Sequence, residues 1–173
     1  MAGGLIGSFP GDPLLTYSSS AGLQVGVPVF NPATKNFMVF VKATGATFSG
    51  GDWVACTGSN RYVGVVEITG TSTIPQTNIA GVRPTGAAAM TSGDYGYIIV
   101  LGPASATKVL TGTTITAAEA LLMASTAAGK LDIFTAATSL ASVRQSVAIV
   151  AISQTAATTA DVVDVTIIKS VWL

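Results

Sequence analysis

The sequence predicts an all-β fold, an antiparallel sandwich or barrel of about ten short strands with an extended N-terminal arm, and three observations carry that prediction. Short apolar or alternating runs recur with turn residues between them roughly every ten positions, the spacing of sandwiches and barrels rather than of helices on a parallel sheet. Helix-forming composition is confined to one segment, "TAAEALLMAS". One opening also occurs twice: "SGGDWVACTGS" from Ser49 and "TSGDYGYIIVLGPA" from Thr91 both set Gly-Asp and an aromatic ahead of an apolar run. Glycine permits positive φ and aspartate bonds nearby backbone, so each opening reads as a turn feeding a half-buried strand.

Taken in order, residues 1–22 combine Gly, Pro and Ser with large apolar groups at Phe9, Leu14, Leu15 and Tyr17, without any period of 2 or 3.6. Such a segment cannot bury those groups by itself, and it reads as an arm that orders against a neighbouring surface; the alternative is a frayed terminus. Residues 23–173 form one β-rich domain, beginning with "LQVGVPVF", the turn "NPATKN" and "NFMVFVKA". In the last of these, Phe37, Val39 and Val41 share one face, and Met38, Phe40 and Lys42 the other. Both faces are mostly apolar, the mark of an interior strand or of one whose outer face meets a partner.

"GDWVACTG" and "RYVGVVEITG" follow, and the second half continues with "YGYIIVLGP", "KVLTG", "EALLMAS", "GKLDIFT", "SVAIVAISQ" and "DVVDVTIIKSVWL". Val163, Val165 and Ile167 point one way and Asp164 and Thr166 the other, giving a strand with one core face. The helix-like segment resolves into a single helical turn at Ala117 to Ala120 and a strand from Leu121 to Ser125. That strand pairs with "KLDIF" across a tight turn. The paired Gly-Asp openings hint at internal duplication.

Composition narrows the function. Hydrophobic residues make up 49% of the 173 positions and charged residues 9%, against a usual charged share of about 25%. A folded monomer of this mass exposes on the order of 7,800 Å², so its charges average one per roughly 500 Å² and defend poorly against association. Two explanations compete: a membrane, or burial by partner chains. The most apolar runs span about eight residues, far short of the ~20 a bilayer helix needs, and 7% aromatics barely supports the girdles of a transmembrane barrel. Partner chains are therefore favoured. The formal net charge of zero, with eight basic and eight acidic residues scattered singly, leaves no patch for nucleic acid or anionic lipid. One cysteine, Cys56, points to a reducing compartment, and "MAGGLIG" lacks the basic residues of a targeting signal.

No histidine is present, which removes the commonest general base and the commonest metal ligand together. No "GxSxG" or "SxxK" motif offers a nucleophile, and Cys56 reads as a buried, inert thiol. "GGLIG" near the N-terminus follows no strand and lacks the Lys-Ser/Thr of a phosphate loop. Asp52 and Asp94 are read as turn formers, since no calcium-loop acids surround them. Glu67, Glu119, Asp132, Asp161 and Asp164 could furnish a carboxylate pair, but Asp161 and Asp164, at odd separation, point to opposite strand faces. The reading is no enzyme: no catalytic residue, no cofactor and no metal site. Trp53 and Trp172 read as core or interface anchors, alongside Phe9, Leu14, Leu15 and Tyr17 in the arm.

The order of "GVRPTGAAAMTSGDYGYIIVLGP", "TGTTITAAEALLMASTAAGKLDIF" and "SVAIVAISQTAATTADVVDVTI" resembles the capsid decoration, or cement, proteins of tailed bacteriophages, over roughly residues 60–168. That resemblance implies a β-rich, trimeric structural protein of the virion, made in the host cytoplasm. Such a protein sits on the outer capsid surface, binds the major capsid protein and stabilises the assembled head. An alternative keeps the virion but makes the chain a head-fibre, tail or receptor module, with Trp53, Tyr62, Tyr95 and Tyr97 as rings for stacking on a glycan. A carboxylate enzyme using Glu67 or Glu119 ranks third.

Overall fold

Among the residues the structure describes, ten runs form strands and no helix occurs. The computed structural model describes residues 10–20, 22–57, 64–67, 78–115, 120–125, 127–134, 149–153 and 157–168. The strands are β1 (Pro28–Asn31), β2 (Asn36–Ala43), β3 (Trp53–Cys56), β4 (Gly64–Glu67), β5 (Ile79–Val82), β6 (Tyr95–Ile115), β7 (Leu121–Ala124), β8 (Leu131–Ile133), β9 (Ile149–Ser153) and β10 (Ala157–Ile167). The helical turn expected at Ala117 to Ala120 falls largely outside the described residues. The hairpin expected after it is present, with Leu122 opposite Ile133 and Ala124 opposite Leu131.

The pairings run β1-β2-β4-β3-β5-β6-β10-β9-β7-β8, and two further ladders, β2 with β6 and β6 with β8, close the sheet twice. One ring is β2-β4-β3-β5-β6 and the other β6-β10-β9-β7-β8. Closure removes edges that would otherwise template aggregation. The expected antiparallel order needs one correction, because β2 with β4 and β6 with β8 are parallel ladders. Each such pair is separated by a long stretch of chain, as a parallel pair requires.

Beyond the exposed Phe37, both faces of β2 are largely buried, as its sequence demands, and they feed different cores. Val39, Val41 and Ala43 pack with Val54, Cys56, Ala80, Ile98, Val100, Phe48 and Met90, filling the first ring. Met38 and Phe40 belong to a second cluster with Trp53, Tyr97 and Ile99, continuous with Val109, Leu122, Leu131, Ala151, Val163, Val165 and Ile167 of the second ring. The one-sided reading of β10 therefore holds, with Asp164 in solvent and Val165 in the core. Asp161 corrects it locally. This carboxylate is exposed along with Asp164, because the register shifts between Ala160 and Val162.

The two Gly-Asp openings form matched turns. Asp52 Oδ2 accepts from the Ser49 N–H at 2.7 Å and its hydroxyl at 2.9 Å, and Asp94 Oδ2 accepts from the Thr91 N–H and hydroxyl, both at 2.8 Å. Gly51 and Gly93 supply the positive φ, 83° and 98°. Those bonds to Thr91, backbone first, hold the Asp94 carboxyl below its ordinary range. The residues just before the turns, Phe48 and Met90, bridge each other through two backbone hydrogen bonds of 3.1 and 2.8 Å.

Other expectations are corrected by backbone geometry. "YGYIIVLGP" and "KVLTG" are one strand of 21 residues rather than two, since Pro103 sits beside irregularities that tolerate a missing N–H. Only the end of "LQVGVPVF" is strand, because positive φ at Gly26 breaks the run before Pro28. Strand β5 was not foreseen: four residues with a central glycine carry little periodic signal.

That glycine has no room for a side chain. A Cβ at Gly81 would collide with the Ile99 carbonyl oxygen, whereas Ala106 is a non-glycine residue held at φ 47°. Gly81→Ala is expected to cost about 3 kcal/mol or to prevent folding. Ala106→Gly is expected to be neutral or to stabilise by about 1 kcal/mol. Guanidinium unfolding midpoints measure both, and the reverse order would contradict the register described.

Candidate functional site

The described part of the arm, residues 10–20, lies on the chain's own first ring. It begins with an aspartate turn: Asp12 Oδ1 accepts from the Leu14 N–H at 2.9 Å, a geometry that an Asp-Pro step favours. Tyr17 then forms an antiparallel bridge with Tyr95, at 2.9 and 2.8 Å, so the arm docks beside the start of β6. Its ring meets Phe40 edge-on at 5.7 Å, and Phe40 in turn packs against Tyr95 and Tyr97.

Arg83, immediately after β5, fastens this arm. It is completely buried, yet no carboxylate among the described residues pairs with it. Its guanidinium donates instead to oxygens of three regions, the arm, the loop after β5 and β6. Nη1 bonds the Tyr97 carbonyl at 2.8 Å, and Nη2 bonds the Leu15 carbonyl at 2.9 Å, Thr16 Oγ1 at 3.1 Å and the Ala88 carbonyl at 3.1 Å. Gly96 makes the slot, since a Cβ there would lie 2.7 Å from Nη1. Burial pushes the guanidinium pKa down to about 10, which leaves it charged at neutral pH. A buried cation of this kind is tolerable only while its donors stay bonded.

The pinned arm holds Leu14 and Leu15 outward, and Leu15 is 51% exposed. A second exposed apolar pair, missed in the sequence, is Phe30 and Phe37. They face each other across the β1–β2 hairpin with ring centroids 5.2 Å apart, and Phe30 is 50% exposed. The available signal was their symmetric placement around "NPATKN". Two cavities adjoin the arm. One of about 300 Å³ touches Pro13 and Leu14, and another of about 240 Å³ lies between Pro10, Leu23, Val29, Phe40 and Tyr97.

The remaining candidates separate clearly. Tyr17 is half-buried in the aromatic nest, and Trp53 is wholly enclosed by its own chain, so its ring is core. Phe9, Trp172, Tyr62 and Glu119 lie outside the described residues. Tyr97 is buried and Tyr95 half-buried, with Lys42 Nζ 5.6 Å from the Tyr95 ring centre. Cys56 is buried in β3. Glu67 lies in β4.

One constellation that sequence spacing concealed brings a serine, an aspartate and a lysine together. Lys108 Nζ lies 2.7 Å from Asp52 Oδ1 and donates to Ser49 Oγ at 3.0 Å. The Ser49 hydroxyl itself donates to Asp52 Oδ2 at 2.9 Å. In this arrangement the lysine donates to the serine oxygen and the serine hydroxyl donates to the carboxylate, so the three residues clamp the Ser49 turn to β6. None of them lines either cavity. Among the described residues no cluster of Cys, Asp or Glu could hold a metal ion.

Arg83→Lys keeps the charge but loses the planar fork. It is expected to cost about 2 kcal/mol and to speed hydrogen exchange at the Tyr17 amide far more than at Val39. Equal protection at both amides in that variant would rule out the latch. Tyr97, whose hydroxyl donates to the Pro10 carbonyl, gives a pH signature. Burial, aided by Tyr17, pushes its pKa up to about 12 from 10.0, so the folded state keeps a proton that the unfolded chain releases. Its contribution is complete below pH 10 and is lost as pH rises through 12. The stability of Tyr97→Phe is expected to fall less steeply across that interval than that of the parent chain.

No family model matches the chain, and no curated protein does. Among solved structures the chain is similar to the N base of head fiber gp8.5 in bacteriophage phi29, at 15% sequence identity and a TM-score of 0.44, over 77% of this chain and 94% of that one.

Proposed function

We propose that the chain is a non-enzymatic structural protein of a tailed-phage virion, a decoration or cement protein that docks on the outer surface of the assembled head and stabilises it. The observation that carries this reading is a set of exposed apolar side chains, Leu14, Leu15, Phe30 and Phe37, on backbone fixed by strand pairing and by Arg83, within a charge-poor surface. Rigid apolar groups of this kind lose little entropy on docking, which favours protein contact. The order of segments that resembles decoration proteins supports the same reading. The glycan-binding version is less well served, since Trp53 and Tyr97 are enclosed and unable to stack on a sugar.

In this reading three copies bind coat subunits together. An interface of roughly 1,600 Å² is already specific, and a trimer engaging several sites gains avidity from effective concentration. The shell is then stabilised by mass action, because the protein binds assembled coat and not free subunits; at a hundredfold excess over Kd the gain is about 2.7 kcal/mol per site.

Purified protein mixed with expanded heads that lack it is expected to bind saturably and to raise their thermal disruption temperature. A Leu15→Asp, Phe30→Asp double variant, with unchanged far-ultraviolet circular dichroism, is expected to bind at least tenfold more weakly. Absence of saturable binding by the parent chain would reject the role. Equal binding by the folded double variant would remove these side chains from it.

A further inference from the structure

The larger cavity beside the arm is assembled from four stretches of chain far apart in sequence, and its chemistry is selective. Its walls carry no charged residue and no aromatic ring. The apolar part comes from Leu14, Met38 and Ile99, together with the prolines at positions 13, 84 and 103. Its polar part comes from Thr34, Thr85 and Ser105, of which the two threonine hydroxyls donate to Asn36 Oδ1 and the Ser105 carbonyl, and from two carboxamides, Asn31 and Asn36, directly opposed across the β1–β2 hairpin and only 6% and 2% exposed.

Each carboxamide is oriented by the protein and, among the described residues, keeps one N–H uncommitted. Asn31 Oδ1 accepts from the Ala33 N–H at 3.1 Å, which fixes the amide the other way round, with Nδ2 toward the Met38 sulfur at 3.7 Å. Asn36 Oδ1 accepts from the Thr34 hydroxyl at 2.7 Å, and its Nδ2 donates to the Pro103 carbonyl at 2.9 Å. An amide nitrogen has two N–H groups, and a thioether is a weak acceptor. Cross-strand neighbours stand about 5 Å apart at Cβ, so the two spare donors share one wall. A second N–H on a nearly buried amide gains from any acceptor that reaches it.

We propose that this cavity binds one aliphatic side chain and the adjoining backbone carbonyl of an extended, uncharged peptide segment belonging to a partner chain. The carbonyl takes the Asn31 and Asn36 donors with its two lone pairs, and the side chain lies between Leu14, Met38 and Ile99. A carboxylate fits poorly, since no cation is present to offset its desolvation. A sugar fits poorly as well, because no ring offers a stacking face. The volume of about 300 Å³ suits one or two residues, at the lower end for small-molecule sites. The site deepens the docking role proposed above and rests on that reading for the origin of the partner. The chemistry of the cavity can be tested without heads.

The test is an amide-resolved NMR titration of the isolated chain with three probes: N-acetyl-leucine methylamide, N-acetyl-aspartate and N-acetylglucosamine. The leucine probe is expected to shift the Asn31 and Asn36 side-chain amide signals saturably, with a midpoint at least fivefold lower than either other probe. Ser105→Trp, at an exposed position on the rim, is expected to raise that midpoint at least fivefold, and Asn31→Ala to do the same. No saturable shift of those signals with the leucine probe overturns the proposal, whatever the heads do. So does a lower midpoint for the sugar or the acid, or a midpoint unmoved in both folded variants. Head binding that survives in Ser105→Trp, after a positive titration, would leave the docking role standing and remove this cavity from it.

Discussion

A single strand, β6, has to complete two closed rings of hydrogen bonds, and a period of two residues cannot serve both without interruption. Its contributions to the shared core run Tyr97, Ile99, then Ala104, then Val109 and Ile115, changing parity twice. The changes fall where Gly102 and Ala106 adopt positive φ and where the ladder with β10 shifts register. An extra residue at such a bulge turns the following side chains to the opposite face. The amide exposed at Ala106 is satisfied by Asp164 Oδ1 at 2.7 Å, so a surface carboxylate on β10 holds the bend that joins the rings. The Lys108 contact with Asp52 fixes the same stretch from the first ring. Pro103, Ala104 and Ser105, which line the larger cavity, stand where they do because of this bend.

Arg83 couples that framework to the arm. A guanidinium without a counter-ion among the described residues is costly to bury, and half of its strong acceptors, the Leu15 carbonyl and Thr16 Oγ1, come from the arm, which has no periodic structure of its own. The cost is offset only if the arm is in place, so the bonds that satisfy the cation also hold an irregular segment against the ring. With the backbone committed inward through its carbonyls, the side chains of Leu14 and Leu15 have no core position left and remain outside. The exposed apolar surface is thus a by-product of how the cation is satisfied, and also the feature most suited to contact with other protein. The Phe30–Phe37 pair arises differently, from a hairpin rung whose β2 member is also paired with Leu101 of β6, but has the same consequence.

Much of this was legible in local sequence, because local rules decided it. The Ser49 and Thr91 turns follow from a hydroxyl three residues ahead of an aspartate with glycine between. The double-faced burial of β2 follows from "FMVFV", and the single core face of β10 from Val163, Val165 and Ile167. The β7–β8 hairpin was readable despite helix-favouring residues, since tertiary pairing outweighs propensities of a few tenths of a kcal/mol. Phe30 and Phe37 stood in plain view on either side of the turn, but exposure is a property of neighbours and no periodicity announces it.

By itself the sequence determined the all-β class, the turn chemistry, the face of the longest regular strands and the shortage of charge, all of which depend on residues within a few positions of one another. Only the tertiary structure decided that the strands close into two rings on β6, that Arg83 holds the arm, that Ser49, Asp52 and Lys108 meet, and that two carboxamides share a neutral cavity. Arg83 and Leu15 are separated by 68 positions and Lys108 and Ser49 by 59. Over such separations it is ring closure and the bulges of one strand, rather than composition or period, that bring donors and acceptors together.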